Sequence, residues 1–442
     1  MRSIKLPEPP SSNTGMPEIF DHGISCVVRR AVIIGNGAAG AEHQCIGLVR
    51  ALGLSNSYSL HRVNRPKGGL LNAYLRWLPV PIHKQLDFLF RHIQSDWRRL
   101  PLSSILSRLL GDSGSSSLET RPAQPRVDYG LRALTLDDKP VPEADASRIA
   151  ALALEDIDRD GPLLVVASGR DTVSVAAAVK KLAPEATFVV QIQHPRWGLD
   201  QFDMIVTPLH DYHALSPAAR QEVPKLLLPW ITPQHPPDKH VVLTVGALHH
   251  ADASTLRAAA TSWQSELASL AKPLLIVNIG GPTRHCRYGE DLALELLSAL
   301  KLVLTTCGSC RMTFSRRTPT QIVNLITREL GDHPKVFIWD GRGPNPHLGH
   351  LAWGDAFVVT ADSVSMLSEA CSTGKPVYVI GGERCRWKFT DFQTTLRQRG
   401  LIRALTGAED MRDSWSYPPL NDTFEAANRI RRALAERGWS LH

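Results

Sequence analysis

Three glycines between a predicted strand and a predicted helix have the spacing of a dinucleotide-binding turn. Gly35, Gly37 and Gly40 follow the apolar run at 31–34, and a helical pattern continues to about Leu52. Glycines at this spacing let the backbone approach a phosphate, and the helix N-terminus favours negative charge. The same residues would also form a tight strand-to-helix turn that binds no ligand, so two interpretations stay open.

The acidic residue that usually accompanies such a turn is missing. Dinucleotide-binding folds place an Asp or Glu about 20 residues after the glycines, where its carboxylate binds the ribose hydroxyls. No Asp or Glu occurs between Glu42 and Asp87. Arg62 or Arg65 could bind a 2′-phosphate instead, so NADP is not excluded, but we predict no cofactor.

A second pair of glycines, Gly280 and Gly281, follows the first strand of a later series of strands and helices. Adjacent backbone amides at the end of a strand can form a nest for an anion. Equally, residues without a side chain let two domains approach closely. The sequence does not decide between these two roles.

The sharpest local pattern contains Asp362, Ser363 and Glu369. Asp362 or Ser363 is predicted to cap a helix, and Gly374 to end it before the next strand. This order resembles the C-terminal half of nucleotide-sugar glycosyltransferases, which implies that Glu369 could reach a ribose. Those enzymes usually have glycine where Ser363 and Val364 stand, so we expect no catalytic residue and leave open whether the cleft binds a nucleotide.

The positive charge of the chain is concentrated in residues 61–110. This segment has nine Lys or Arg against two acids, and therefore contains the whole formal net charge of +7. Apolar residues at helical spacing near 86–93 predict an amphipathic helix that packs on its own domain. The cations predicted to contact an anionic membrane or an acidic partner are Lys67, Arg76, Lys84, Arg91, Arg98 and Arg99. No recognition module accompanies them, so we expect no nucleic-acid binding.

Strands and helices alternate along the 442 residues, which predicts an α/β fold with parallel sheets. A chain of this length is expected to form more than one hydrophobic core. We therefore predict two Rossmann-like domains that face a cleft. The predicted segments are a flexible tail at 1–28, an N-terminal domain at 29–250 with a low-complexity loop at 111–142, a C-terminal domain at 251–420, and a final helix at 421–442 that could return to the first domain.

Cysteine usage and the N-terminus indicate the compartment. Seven scattered cysteines predict no disulfide framework and fit the reducing cytosol. Cys307 and Cys310 lack a second pair at zinc spacing, so we expect no metal site.

The N-terminal residues include three acids and several prolines, unlike a transit peptide. No run approaches about 18 apolar residues, so the sequence predicts no transmembrane helix.

Several long strings resemble the Elongated Mitochondria family of plant mitochondrial-fission proteins. These are GNGAAGAEHQCIGL at 35–48, RPKGG at 65–69, SGRDT at 168–172, QIQHP at 191–195, TVGALH at 244–249, WGDA at 353–356 and WSYPPLNDT at 415–423. The resemblance runs from about Arg29 to the C-terminus. It departs at His43, where the family has Asn, and in the loop at 111–142.

This resemblance implies a two-domain scaffold like that of GT-B glycosyltransferases and a role that is not enzymatic. The expected role is that of an adaptor at the cytosolic face of the mitochondrial outer membrane, which helps recruit a dynamin-related GTPase for fission. Fission of peroxisomes is left open. The alternative is a nucleotide-sugar-dependent, glycosyltransferase-like or NADP-binding enzyme.

Overall fold

The computed structural model describes residues 26–65, 82–87, 89, 141–196, 198–215 and 235–441. Within these ranges the chain forms two six-stranded sheets and one two-stranded sheet. Buried apolar side chains form two clusters with residues of the first sheet and two with residues of the second. The prediction of two Rossmann-like α/β domains is therefore confirmed.

The first large sheet is built from the N-terminal half of the chain. Its elements are preceded by β1 (Cys26–Val28) and are β2 (Arg30–Gly35), α1 (Ala39–Ala51), β3 (Tyr58–Arg62), α2 (Ala146–Glu155), α3 (Ile157–Asp160), β4 (Leu163–Ser168), α4 (Val173–Leu182), β5 (Thr187–Ile192), β6 (Met204–Pro208) and β7 (Val241–Thr244). The strands are parallel in the order β3-β2-β4-β5-β6-β7. Every residue of β4 and β5 is buried, as expected for central strands covered on both faces.

The second large sheet repeats this architecture. Its elements are α5 (Ala253–Ser262), α6 (Gln264–Leu267), β8 (Leu274–Ile279), α7 (Glu290–Val303), β9 (Ser309–Phe314), α8 (Thr320–Leu330), β10 (Val336–Ile338), α9 (His347–Trp353), β11 (Ala356–Thr360), α10 (Val364–Cys371), β12 (Val377–Ile380), α11 (Lys388–Gln398) and β13 (Arg403–Ala404). The parallel order β10-β9-β8-β11-β12-β13 is that of a doubly wound Rossmann sheet. The strand order reverses between β8 and β11, and in the first sheet between β2 and β4. Ligands of such folds bind beyond the carboxyl ends of the strands at these reversal points.

The end of the chain returns to the first domain. Helix α12 (Asp422–Glu436) packs against α1, and β14 (Trp439–Leu441) pairs in parallel with β1. The sequence places residues 26–28 in a tail, whereas the structure forms a strand from them. Their partner lies at the other end of the chain, so no local pattern could have predicted this strand.

The connection between the two domains is hydrogen-bonded to elements on both sides of it. The Asp422 carboxyl group accepts from the backbone N–H groups of Val245 and Gly246 at 3.0 and 2.7 Å. The Ser368 hydroxyl of α10 accepts from Ala247 N–H at 2.9 Å. These contacts satisfy buried amides in the connection and hold α12 against it.

Cys286 and Cys385 form a disulfide, so the prediction of no disulfide is wrong for this pair. Their Cα atoms are 4.3 Å apart although 99 residues separate them in the chain. The loops after β8 and β12 meet at this point, which neither the number of cysteines nor their spacing reveals. In the described ranges, no helix combines the length and the apolar character needed to cross a membrane.

Candidate functional site

A cleft of about 1480 Å³ lies at the carboxyl ends of the two large sheets. Its walls include Gly40 from the first turn of α1, Arg170 from the turn after β4, Arg284 from the loop after β8 and Ser365 from α10. In the first sheet these residues follow β2 and β4, the two strands at its reversal point. In the second sheet they follow β8 and β11, the two strands at its reversal point. This is the place where the fold predicts a ligand.

The turn at Gly35, Gly37 and Gly40 contains a carboxylate of the protein itself. Glu42 is fully buried, and its Oε1 accepts from the backbone N–H of Gly37 at 2.9 Å. Gly37 has a φ of +77°, a left-handed conformation that favours glycine. The amide that would bind a phosphate in a dinucleotide-binding turn is thus already paired.

Arg62 completes this arrangement. Its Nε and Nη2 donate to the two carboxylate oxygens of Glu42, both at 2.8 Å. A bidentate pair of this kind is among the stronger charge-assisted interactions in proteins. Arg65 donates to Asp171 at 2.6 Å and also contacts His83. Both arginines considered for a 2′-phosphate therefore have partners within the protein.

The glycines of the second domain have an equivalent role. Gly281 N–H donates to Asp362 Oδ2 at 3.0 Å, and Arg317 Nη2 donates to the same oxygen at 2.9 Å. A Cβ atom at Gly280 would clash with the Asp362 carboxyl group, and one at Gly281 with the Arg317 carbonyl. Glycine is required here for close approach within one domain, and the amide nest is filled by Asp362. Burial raises the pKa of Asp362, against hydrogen bonds from Gly281 and Thr360.

Ser363, one of the two residues predicted to cap this helix, caps α10, because its hydroxyl accepts from Met366 N–H at 3.4 Å. Glu369 on the same helix is 7 % exposed and pairs with His347, with Nε2 and Oε2 2.8 Å apart. Ser365 of α10 lines the cleft, whereas Glu369 is not among the described lining residues. That Glu369 reaches a ribose stays a prediction.

Histidines from both domains surround the Glu369 carboxylate. His43 of α1 and His250 of the connection stack edge to face with ring centroids 5.2 Å apart, and His249 is buried beside them. Burial raises the pKa of Glu369, but the charges of His347, His249 and His250 and a hydrogen bond from His347 outweigh it and hold the pKa at about 2. For His250 burial is the dominant effect, and it lowers the pKa of this residue to about 4.

The sequence reasoning missed the cations of the cleft. Arg170, Lys181 and Arg284 line it, are exposed, and form no ion pair with any described residue. Arg170 occurs in one of the strings noted above, but no motif singles out Arg284. Their position in the chain was the available signal, because Arg170 follows a strand of the first domain and Arg284 follows a strand of the second.

Most cations predicted to contact a membrane or partner lie outside the described residues; these are Lys67, Arg76, Arg91, Arg98 and Arg99. Residues 82–87 are described and helical. Lys84 pairs with Glu143 at the surface, where both side chains are about half exposed. Exposed pairs contribute little to stability, so Lys84 stays available to a competing anion.

Comparison with known proteins identifies close relatives. A family model described as "Mitochondrial fission ELM1" matches residues 39–434. The "Mitochondrial fission protein ELM1" of Arabidopsis thaliana is 56% identical over 443 residues, which cover 100% of both chains. An uncharacterized protein of Rickettsia prowazekii is 31% identical over 293 residues, 63% of this chain and 81% of its own.

Solved structures resemble the chain only distantly. The UDP-GlcNAc 2-epimerase of Methanocaldococcus jannaschii has a TM-score of 0.46 and 11% identity, covering 92% of this chain and 99% of its own. The ADP-heptose LPS heptosyltransferase II of E. coli has a TM-score of 0.37 and 10% identity, covering 92% and 99%. Because these scores are low, the assignment of the fold rests on the sheet topology.

Proposed function

Because this chain belongs to the mitochondrial fission ELM1 family, we propose that it acts in mitochondrial fission as an adaptor at the cytosolic face of the outer membrane. In this role it helps recruit a dynamin-related GTPase. The observation that carries the proposal is the full-length similarity to the Arabidopsis fission protein, which extends over both domains. An adaptor needs a surface for a membrane or partner, and residues 61–110 supply a concentrated positive charge.

We also propose that the adaptor is not an enzyme. In support, the glycine turns of both domains are filled by Glu42 and Asp362, which are groups of the protein itself. Glu369 is buried and paired with His347 rather than open to the cleft. Among the described residues that line the cleft, the one carboxylate, Asp171, is bound by Arg65 and is not a free general base.

We expect no turnover when the purified chain is incubated with UDP-N-acetylglucosamine, UDP-glucose or NADPH. Release of UDP, epimerisation and oxidation of NADPH would each be followed by chromatography or absorbance. The physical reason is that the phosphate-binding amides are already paired. Turnover that disappears in a folded Glu369→Ala variant would contradict the proposal and favour a nucleotide-sugar enzyme.

Reversing the charge of Arg91, Arg98 and Arg99 to Glu is expected to lower binding to isolated mitochondria and to purified dynamin-related GTPase. Near an anionic membrane each Lys or Arg contributes about 1 kcal/mol, so three reversals should reduce co-sedimentation strongly. Binding of the unaltered chain should also weaken with salt, since the Debye length falls from about 10 Å at 0.1 M to about 3 Å at 1 M.

The matched control reverses three exposed arginines outside the basic segment, Arg328, Arg342 and Arg432. It changes the net charge equally and should retain binding. Circular dichroism would verify that both variants are folded. Equal binding of both variants and the unaltered chain, independent of salt, would assign the basic segment to an ordinary solvated surface.

A further inference from the structure

Three cations that line the cleft, together with Arg196 next to the lining residue Pro195, have no acidic partner among the described residues. Arg170 follows β4, Lys181 lies on α4, Arg196 follows β5 and Arg284 follows β8; none forms an ion pair among the described residues. The neighbouring carboxylate of Asp171 is already bound by Arg65. The fold thus gathers uncompensated positive charge from both domains at one place.

The arginines are close enough to affect one another. Burial lowers the pKa of Arg196, and the positive charges of Arg170 and Arg284 lower it further. Like charges held together oppose folding by Coulomb repulsion. An arrangement with this cost is expected where an anion compensates it.

Backbone strain is concentrated at the same place. The described chain has three non-glycine residues with positive φ, namely Gln193 at 69°, Arg196 at 82° and Trp387 at 59°. Gln193 lines the cleft, and Trp387 packs on His285, the residue after Arg284, with ring centroids 5.7 Å apart. Such conformations are strained and cluster at ligand sites.

The position and shape of the site favour a small anion. The cleft lies beyond the carboxyl ends of strands at the reversal points of both sheets, where α/β folds bind ligands. Guanidinium groups bind phosphate through two parallel hydrogen bonds, and the cleft contains one from each domain, Arg170 and Arg284. Asn36 and Gln193 add amide groups to the same walls.

We propose that Arg170 and Arg284 bind an anion with two linked phosphate groups, one guanidinium from each domain, with Arg196 and Lys181 beside them. This site differs from the glycine turns, whose amides are occupied by Glu42 and Asp362. A ligand bound by both arginines connects the two domains. The inference goes beyond the adaptor role and does not depend on it.

Calorimetric titration of the full chain at constant ionic strength tests the site, with inorganic phosphate, pyrophosphate, UDP and ADP as probes. Pyrophosphate is expected to bind about 10-fold or more tightly than phosphate, because it engages both arginines. Arg170→Gln and Arg284→Gln should each weaken pyrophosphate binding by about 10-fold or more. The control Arg328→Gln/Arg432→Gln, exposed and outside the cleft, should bind as the unaltered chain does.

Folding does not confound this test, since neither arginine has an acidic partner to lose among the residues that the structure describes. Both cleft variants should be at least as stable as the unaltered chain without ligand. UDP and ADP affinities equal to that of pyrophosphate would support recognition of the diphosphate alone; tighter UDP or ADP binding would support a nucleoside diphosphate. Failure of all three to bind, equal binding by the Arg170→Gln/Arg284→Gln variant, or binding of a poly-glutamate peptide in their place would overturn the proposal.

Discussion

Replacing Glu42 with alanine is expected to destabilise the first domain by about 3 to 5 kcal/mol. The fully buried carboxylate accepts from Gly37 N–H and, through two oxygens, from Arg62. Its removal leaves a partly buried guanidinium and a backbone amide without their partner. Such a loss costs far more than the hydrogen bonds contribute in the intact protein, because each group has already lost its water.

Urea unfolding followed by circular dichroism measures this effect. The control is Glu329→Ala, which removes a partner of Lys301 at the surface and should cost about 0 to 1 kcal/mol. Adding Arg62→Met to Glu42→Ala should recover part of the loss, since the uncompensated charge is then gone. A Glu42→Ala variant within about 0.5 kcal/mol of the unaltered chain would show that the turn does not depend on this carboxylate.

Acidification is expected to destabilise the protein by several kcal/mol between about pH 6.5 and pH 4. Burial lowers the pKa of His250 and of His210 to about 4, and that of His350 to about 3. In the unfolded chain these residues bind protons below about pH 6.5, whereas in the folded protein they stay neutral. The unfolded state therefore binds more protons in this range, and stability falls as the pH falls.

The Glu369–His347 pair acts mainly at the two edges of this window. Burial raises the Glu369 pKa but the histidines lower it to about 2, so the stability from this carboxylate is lost only as the pH falls below its unfolded value of about 4.5. Burial lowers the His347 pKa but Glu369 raises it overall, so its contribution is lost as the pH rises above 6.5. Stability is therefore expected to be highest near neutral pH.

The stability–pH profile, from urea unfolding at each pH, tests this. His250→Gln should reduce the slope of the acid limb by up to about 1.4 kcal/mol per pH unit, the value for one proton. His235→Gln, at an exposed histidine, is the control for the substitution itself. Parallel acid limbs for all three proteins would mean that the buried histidines of the domain connection do not control acid unfolding.

Both domains contain the same kind of glycine turn, and the sequence shows this arrangement only in part. In each, glycines after the first strand bring an amide to a buried carboxyl group, Glu42 or Asp362, which also binds an arginine. The glycine spacing was visible in the sequence, and Glu42 lies five residues after Gly37. Asp362 lies 81 residues after Gly281, so its contact depends on β8 and β11 being neighbours in the sheet.

The sequence by itself determined the alternation of strands and helices, a helix cap at Asp362 or Ser363, and the family to which the chain belongs. These follow from local hydrophobic period, from capping chemistry and from strings of residues that lie close together in the chain. Only the tertiary structure decided what the glycine turns bind, that Cys286 pairs with Cys385, and that Arg170 and Arg284 face one cleft. Each of these depends on loops from distant strands meeting at a sheet edge, and a local pattern contains no information about which loops will meet.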